Sequence, residues 1–221
     1  HLDPSHESHL TELLSKDSKM RVSEVKGDTR AEANRVYVIP PQCNLDISDG
    51  VLHTPPRPGS GRNMPVDSFL RALAADRGSK ACGVVLSGTA TDGTLGLQAI
   101  KAAGGTTFAQ ELGTAKFDGM PRSAIAAGVV DFVLPPAGIA RQLAAIARTV
   151  HALSEPREAI DLPGDPELAR ILRLVRTATG VDFTHYKHGT LARRVKRRMA
   201  LRGFEKLEDY SRNLEQDREE T

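Results

Sequence analysis

The sequence predicts an α/β protein: a parallel sheet with helices on both faces, followed by a small all-helical domain. Three observations carry that reading. Over residues 1–153, short β-branched runs alternate with segments of helical period, the pattern of strand–helix–strand units. Residues 154–164 hold Pro156, Pro163 and Gly164 among charges and read as a linker. Residues 165–221 have helical stripes and no strand signal.

Leu10, Leu13 and Leu14 mark a short first helix. Val36-Tyr37-Val38-Ile39 is a buried strand stopped by Pro40-Pro41. Leu45 and Ile47 alternate with polar residues, Asp49-Gly50 turns, and Val51-Leu52 returns, a strong short hairpin signal. Val66, Phe69, Leu70 and Leu73 have the spacing of an amphipathic helix. Ala81-Cys82-Gly83-Val84-Val85-Leu86 is an apolar run fit for a central parallel strand. It enters a Ser/Gly/Thr-rich turn and a helix over 94–103, ended by Gly104-Gly105. Thr106-Thr107-Phe108-Ala109 is the next strand, a short helix covers 123–127, and 129–134 is a further strand. A long Ala/Leu/Ile helix runs from Gly138 to about Leu153. Past the linker, Asp165-Pro166 starts a helix striped by Leu168, Ile171, Leu172 and Val175 and ended by Gly180. Leu191, Val195 and Met199 stripe a second helix; Phe204, Leu207, Tyr210 and Leu214 stripe a third.

The 221 residues suffice for one sizeable α/β core and something smaller. With 39% hydrophobic and 26% charged residues and a net charge of +2, the composition is that of a soluble globular protein and not of a general polyanion binder. Cys43 and Cys82 form no CxxC pair and read as reduced thiols of a cytoplasmic protein. No apolar stretch approaches the ~20 residues of a membrane span, so no membrane insertion is expected. The chain opens on His1 and closes on Arg218-Glu219-Glu220-Thr221 inside a helical pattern. The expectation is therefore a piece of a longer protein; a processed or engineered chain would look the same.

The turn Leu86-Ser87-Gly88-Thr89-Ala90-Thr91-Asp92-Gly93 follows a central strand, at the sheet edge where open α/β folds bind ligands. Asp92 there is either a functional carboxylate or a helix cap. His6, His9 and His53 read as surface residues, whereas His1 precedes an apolar–Asp–Pro turn into a helix. Ser87 is a conceivable nucleophile, but no G-x-S-x-G elbow surrounds it.

These residues, in order, resemble the chemotaxis receptor methylesterases of the CheB type. The matching segments are His1-Leu2-Asp3-Pro4-Ser5-His6-Glu7-Ser8-His9-Leu10, residues 36–41, residues 86–96, Ala109-Gln110, residues 115–125 and Gly128-Val129-Val130-Asp131. The resemblance covers residues 1 to about 145. It implies a three-layer α/β/α sandwich with a mostly parallel sheet. It also implies a Ser-His-Asp mechanism that hydrolyses glutamate γ-methyl esters on receptors. Carried over, His1 is the general base, Asp92 orients its imidazole, and Thr89 lies near the oxyanion site. The family's serine sits in a Gly-rich turn before the histidine, and no such turn precedes His1 in this sequence. The expectation is that the first strand and nucleophile turn are lacking, that the chain as given is not a working esterase, and that an exposed sheet edge makes it prone to self-association. A second departure is Ala90, where the family usually has glycine.

Lys187, Arg193, Arg194, Lys196, Arg197, Arg198 and Arg202 fall between His185 and Arg202 without an Asp or Glu. Arg194, Arg197 and Arg198 share one helix face, either a solvated surface or a dock for an acidic partner. Nucleic-acid sites add aromatic platforms, and Tyr186 is the only aromatic nearby, so no nucleic-acid partner is expected. Thr179-Gly180-Val181-Asp182-Phe183, Tyr186-Lys187, Thr190-Leu191, residues 193–199 and residues 204–214 resemble the N-terminal helical domain of CheR-type receptor methyltransferases over about 166–221. That resemblance implies Arg194, Arg197 and Arg198 as receptor-docking residues. It places S-adenosylmethionine in a further domain, so no cofactor is expected in this chain. Together these readings give an esterase domain at 1–153, a linker at 154–164 and a methyltransferase helical domain at 165–221. The two resemblances imply a methyl-accepting chemoreceptor as the partner, in cytoplasmic two-component sensory signalling. The alternatives are a non-catalytic receptor- or kinase-binding scaffold and nucleic-acid binding through the basic helix.

Overall fold

The computed structural model describes residues 9–57, 63–154, 165–180 and 188–216, without certain helical side chains, Arg193 and Arg197 among them. Packing divides the chain into two compact units that meet in sequence at Ile139 and Ala140. Among the described residues no helix is long and apolar enough to cross a membrane.

The first unit opens with α1 (Leu10–Asp17), then β1 (Arg21–Glu24), β2 (Thr29–Arg30) and β3 (Arg35–Val38). β1 and β3 pair in parallel, with Val22 beside Val36. β1 was not evident in the sequence because it offers one apolar side chain, Val22, between charges. The Pro40-Pro41 stop holds, and β3 ends at Val38. β4 (Asp46–Ser48) and β5 (Val51–His53) form the expected hairpin. Asp49 and Gly50 both have positive φ, 49° and 75°, the two-residue turn whose twist suits paired strands. β2 adds antiparallel to the other side of β5. Leu45, Ile47 and Leu52 point inward and form a core with Val25.

α2 (Pro65–Arg77) joins the two cores of this unit. Leu70 and Ala74 belong to the core with Val85, Leu97 and Ile100, and Phe69 and Leu73 pack against both that core and the one around Ile47 and Leu52. β6 (Cys82–Val85), α3 (Thr94–Ala102), β7 (Thr106–Gln110), α4 (Gly119–Ala126) and β8 (Phe132–Leu134) then complete strand–helix–strand units. β6, β7 and β8 lie side by side in parallel. Phe108, fully buried, stacks on Phe132 with ring centroids 5.3 Å apart; burying a side chain of that size stabilises by about 1.5–3 kcal/mol. The strand expected from Val129 begins only at Phe132. Asp131 and Thr107 mark the transition: one backbone bond runs from the Asp131 amide to Thr107 O, and the other bonds there use side chains, Thr107 donating to Asp131 Oδ2 and Val129 O.

The parallel strands thus stand in two sets, a β1–β3 pair and a β6–β7–β8 triplet. Among the described residues no hydrogen-bonded strand joins them. α5 (Pro136–Ser154) starts in the first unit and continues past its boundary.

The second unit holds α6 (Pro166–Thr179), α7 (His188–Arg202) and α8 (Leu207–Gln216). Asp165 caps α6 by accepting from the amides of Glu167 and Leu168, and Gly180 ends it at φ 72°, as its sequence signals require. Ile171, Met199, Tyr210 and Leu214 form the core, with Val195 and Leu207 against it. Buried Ser211 donates to Glu167 Oε2, and Arg170 bridges Glu167 and Glu215. The hydrogen bond and charge of Glu215 hold the Arg170 guanidinium above its ordinary pKa.

Candidate active site

The loop from β6 to α3 stands at the C-terminal edge of the parallel triplet, and its form is imposed from outside. The Ser87 amide donates to Oε1 of Gln110, whose own Nε2 donates to Thr114 O. Buried Gln110 therefore ties the end of β6 to the turn after β7. Ser87 Oγ accepts from the Phe117 amide at 2.9 Å. Gly88 donates to Phe117 O and accepts from the Met120 amide. A β-carbon on Gly88 would meet Met120 Sδ at 2.2 Å, and one on Gly119 would lie 3.0 Å from the Ala90 amide nitrogen. Two backbones therefore pass here closer than side chains permit.

Asp92 is the fixed acid of this loop. Its Oδ2 accepts from the Val66 amide at 3.1 Å and its Oδ1 from the Asp67 amide at 2.9 Å. These amides open α2, where no local side chain caps the helix. Asp92 does not cap α3, whose N-cap is Gly93 at φ 94°. The sequence left Asp92 as either a functional carboxylate or a cap; the structure makes it a cap of a different helix, 25 residues upstream. In return, buried Asp67 accepts from the Gly96 amide of α3 at 2.7 Å. The two aspartates exchange caps between α2 and α3 and place negative charge at both helix N-termini, where the helix dipoles favour it. A carboxylate has about four acceptor positions, so Asp92, half-buried, retains room for an imidazole N–H.

Thr89 is exposed on the same loop. Ala90 beside it holds φ 65°, the left-handed conformation that costs a residue with a β-carbon about 1–2 kcal/mol. His1 lies outside the described residues, so only the acid of the expected His1–Asp92 pair has a place in the structure. Asp67 and Gln110 were missed as supporting residues because their partners are 29 and 23 positions away and no local pattern announces such bonds.

In the second unit, Leu191 and Met199 of α7 are buried while Arg194 is exposed and Arg198 half-buried. At ~100° per residue Arg198 lies close to Leu191 on the helix circumference, so it borders the apolar stripe, while Arg194 beside it is exposed. The side chain of Arg197 lies outside the description. No group of three or more His, Cys, Asp or Glu suited to a metal ion occurs among the described residues.

Residues 1–143 match the CheB methylesterase family model, and residues 166–221 the all-alpha domain of CheR methyltransferases. An uncharacterised 104.1 kDa protein of Rhodobacter capsulatus is 36% identical across 96% of this chain, which spans 24% of that protein. A protein-glutamate methylesterase/protein-glutamine glutaminase of Anaeromyxobacter dehalogenans is 34% identical over 67% of this chain and 44% of its own length. The chain thus spans less than half of these curated relatives. The Thermotoga maritima CheB methylesterase catalytic domain superposes with a TM-score of 0.59 at 30% identity, covering 65% of this chain and 78% of that structure. The chain belongs to the CheB methylesterase family, and its C-terminal helices to the all-alpha domain of the CheR methyltransferases.

Proposed function

We propose that the chain is part of a bifunctional chemoreceptor-modifying protein, acting on the cytoplasmic side of sensory signalling. One module removes methyl groups from receptor glutamates and the other helps to add them. The observation that carries this reading is the locked β6–α3 loop, with Asp92 held by two amides at the edge of the parallel strands, in a chain whose residues 166–221 match the all-alpha domain of CheR methyltransferases. In the esterase reaction His1 is the general base for a serine, Asp92 orients the imidazole and offsets its charge, and Thr89 lies by the oxyanion site. Arg194, Arg197 and Arg198 face an acidic receptor helix.

S-adenosylmethionine, which the methyltransferase resemblance implies, does not fit the residues present. Among the described residues α6, α7 and α8 bring no strand and no glycine-rich strand–helix turn to cradle it. The esterase reading assigns a base, His1, and an acid, Asp92, and no serine for that reaction among the 221 residues.

The test is methanol release from a methylated receptor. The 221-residue chain is expected at background. A version extended by whatever its gene encodes upstream is expected to turn over, and to lose about 10⁴-fold on Asp92→Asn. Turnover by the 221 residues alone, or an extended protein indifferent to Asp92, overturns the assignment. Receptor binding without turnover in the extended protein would make it a scaffold.

A further inference from the structure

We propose that Ser48, His53 and Asp28 form a second acyl-transfer site, separate from the β6–α3 loop, which reacts with small unhindered carboxylic esters through the Ser48 hydroxyl. The sheet β2–β5–β4 buries one face: Ile47 and Leu52 belong to the core. Strand alternation puts Asp46, Ser48, Val51 and His53 on the other face. Ser48 and His53 lie diagonally across the hairpin pair, in which Ser48 is opposite Val51 and His53 opposite Asp46. Ser48 Oγ is 3.1 Å from His53 Nε2, and His53 Nδ1 is 2.7 Å from Asp28 Oδ1. Asp28 immediately precedes β2, whose Thr29 pairs with Leu52, and this pairing brings the carboxylate to the ring.

The chemistry follows from what each atom can do. A carboxylate only accepts, so Nδ1 carries the hydrogen and donates it to Asp28. That fixes the tautomer in which Nε2 presents its lone pair to the Ser48 hydroxyl. A nucleophile bonded to a base that is oriented by a third group is the arrangement that identifies an activated serine, whatever the fold or chain order. The charges around the site are mixed: Asp46 lies opposite His53 on the same face, and Asp76 accepts from the Gly50 amide and pairs with Arg77. Arg30 lies opposite Val51 on the outer face, in the row that continues to Ser48. A β-carbon on Gly50, two residues after Ser48, would stand 2.6 Å from Arg77 Nη2 and 3.9 Å from Arg30 Nη1. Two guanidinium groups therefore approach the turn that follows Ser48, Arg77 being paired with Asp76.

The reaction is a balanced two-step transfer. Ser48 Oγ bonds to the acyl carbon as its proton passes to His53 Nε2. The ester C–O bond then breaks, and the leaving alcohol takes that proton. Water repeats the sequence on the acyl-serine, releasing the acid and restoring Ser48. The side chain of His53 is 35% exposed and that of Asp28 77%, so the site is open, with little to hold a large substrate. Small esters reacting at a second-order rate are its natural class.

The experiment treats the 221-residue chain with p-nitrophenyl acetate and, in parallel, with a fluorophosphonate probe whose attachment is mapped by peptide mass spectrometry. The probe is expected on Ser48. Ser48→Ala should abolish both label and ester cleavage, and His53→Gln, which cannot relay the proton, should slow both by ~10²-fold or more. Asp28→Ala, which removes an exposed orienting bond, should slow them a few-fold. The circular dichroism spectrum and denaturation midpoint of each variant report whether the hairpin still folds. If His53→Gln unfolds, the Asp28→Ala and Ser48→Ala pair decides. A probe that ignores Ser48, or labelling unchanged by His53→Gln in a folded chain, overturns the proposal and leaves the three side chains as a cross-strand hydrogen-bond network. This result is independent of the methyl-ester reading, which concerns the other loop and another substrate.

Discussion

The β6–α3 loop and the basic face of α7 are both candidate working surfaces, but they are built in opposite ways. The loop holds its shape by bonds reaching far along the chain: Ser87 to Gln110 and Phe117, Gly88 to Met120, and Asp92 to Val66 and Asp67. The basic face takes its shape from its own helix, whose three-and-four spacing places Arg194 and Arg198 together beside the buried Leu191 and Met199 that anchor it. A loop that must position an acid needs outside clamps, whereas a docking face needs only a helix and its charges. Damage should therefore spread from the loop into the fold and stay local on the helix.

The strongest test of that difference is Asp67→Ala. Asp67 is buried and accepts from the Gly96 amide. Removing the acceptor orphans a buried N–H and opens a void beside Leu70, at a cost of about 1–3 kcal/mol. Denaturant unfolding should show a lower midpoint, and Asp67→Asn, which keeps an acceptor oxygen, should recover part of it. An unchanged midpoint would mean that the exchanged caps do not hold α2 and α3 together.

Ala90→Gly is the next test, and its sign is the informative part. Ala90 sits at φ 65°, a conformation costing about 1–2 kcal/mol that glycine avoids. Glycine adds unfolded-state entropy worth about 0.4–1 kcal/mol in the other direction. The net expectation is a gain of roughly 0.5–1 kcal/mol. A loss would show that the β-carbon of Ala90 is held in useful contact and that the strain is offset within the loop.

How much of this was legible beforehand follows the same division. The helices α2, α6, α7 and α8, the Asp49-Gly50 hairpin, and strands β6 and β7 all announced themselves through periodicity, caps and turns. These signals are local, so sequence shows them. β1 was hidden because its burial comes from pairing with β3 and not from its own composition. Asp92 was identifiable as a residue of the loop, but its role in capping α2 was not, because Val66 and Asp67 lie some 25 positions away. His53 read as an inert surface histidine; only the hairpin register and the approach of Asp28 give it two partners.

Arg194→Ala is expected to change stability least, and it separates docking from folding. Arg194 is exposed on α7, away from the buried Ile171, Met199, Tyr210 and Leu214 of that unit, so its loss should move the unfolding free energy by no more than about 0.5 kcal/mol. Its charge should matter to an acidic partner. Exposed interface charges act mainly through association rate and salt dependence, and the screening length shrinks from about 10 Å at 0.1 M salt to about 3 Å at 1 M. Binding of an acidic receptor-helix peptide, followed by fluorescence anisotropy, should weaken several-fold in the variant at 0.1 M salt and converge with the parent chain near 1 M. Equal affinity at both salt concentrations would remove Arg194 from the docking face. A lowered unfolding midpoint would show that α7, like the β6–α3 loop, depends on its polar side chains for its form, and the contrast between the two surfaces would fail.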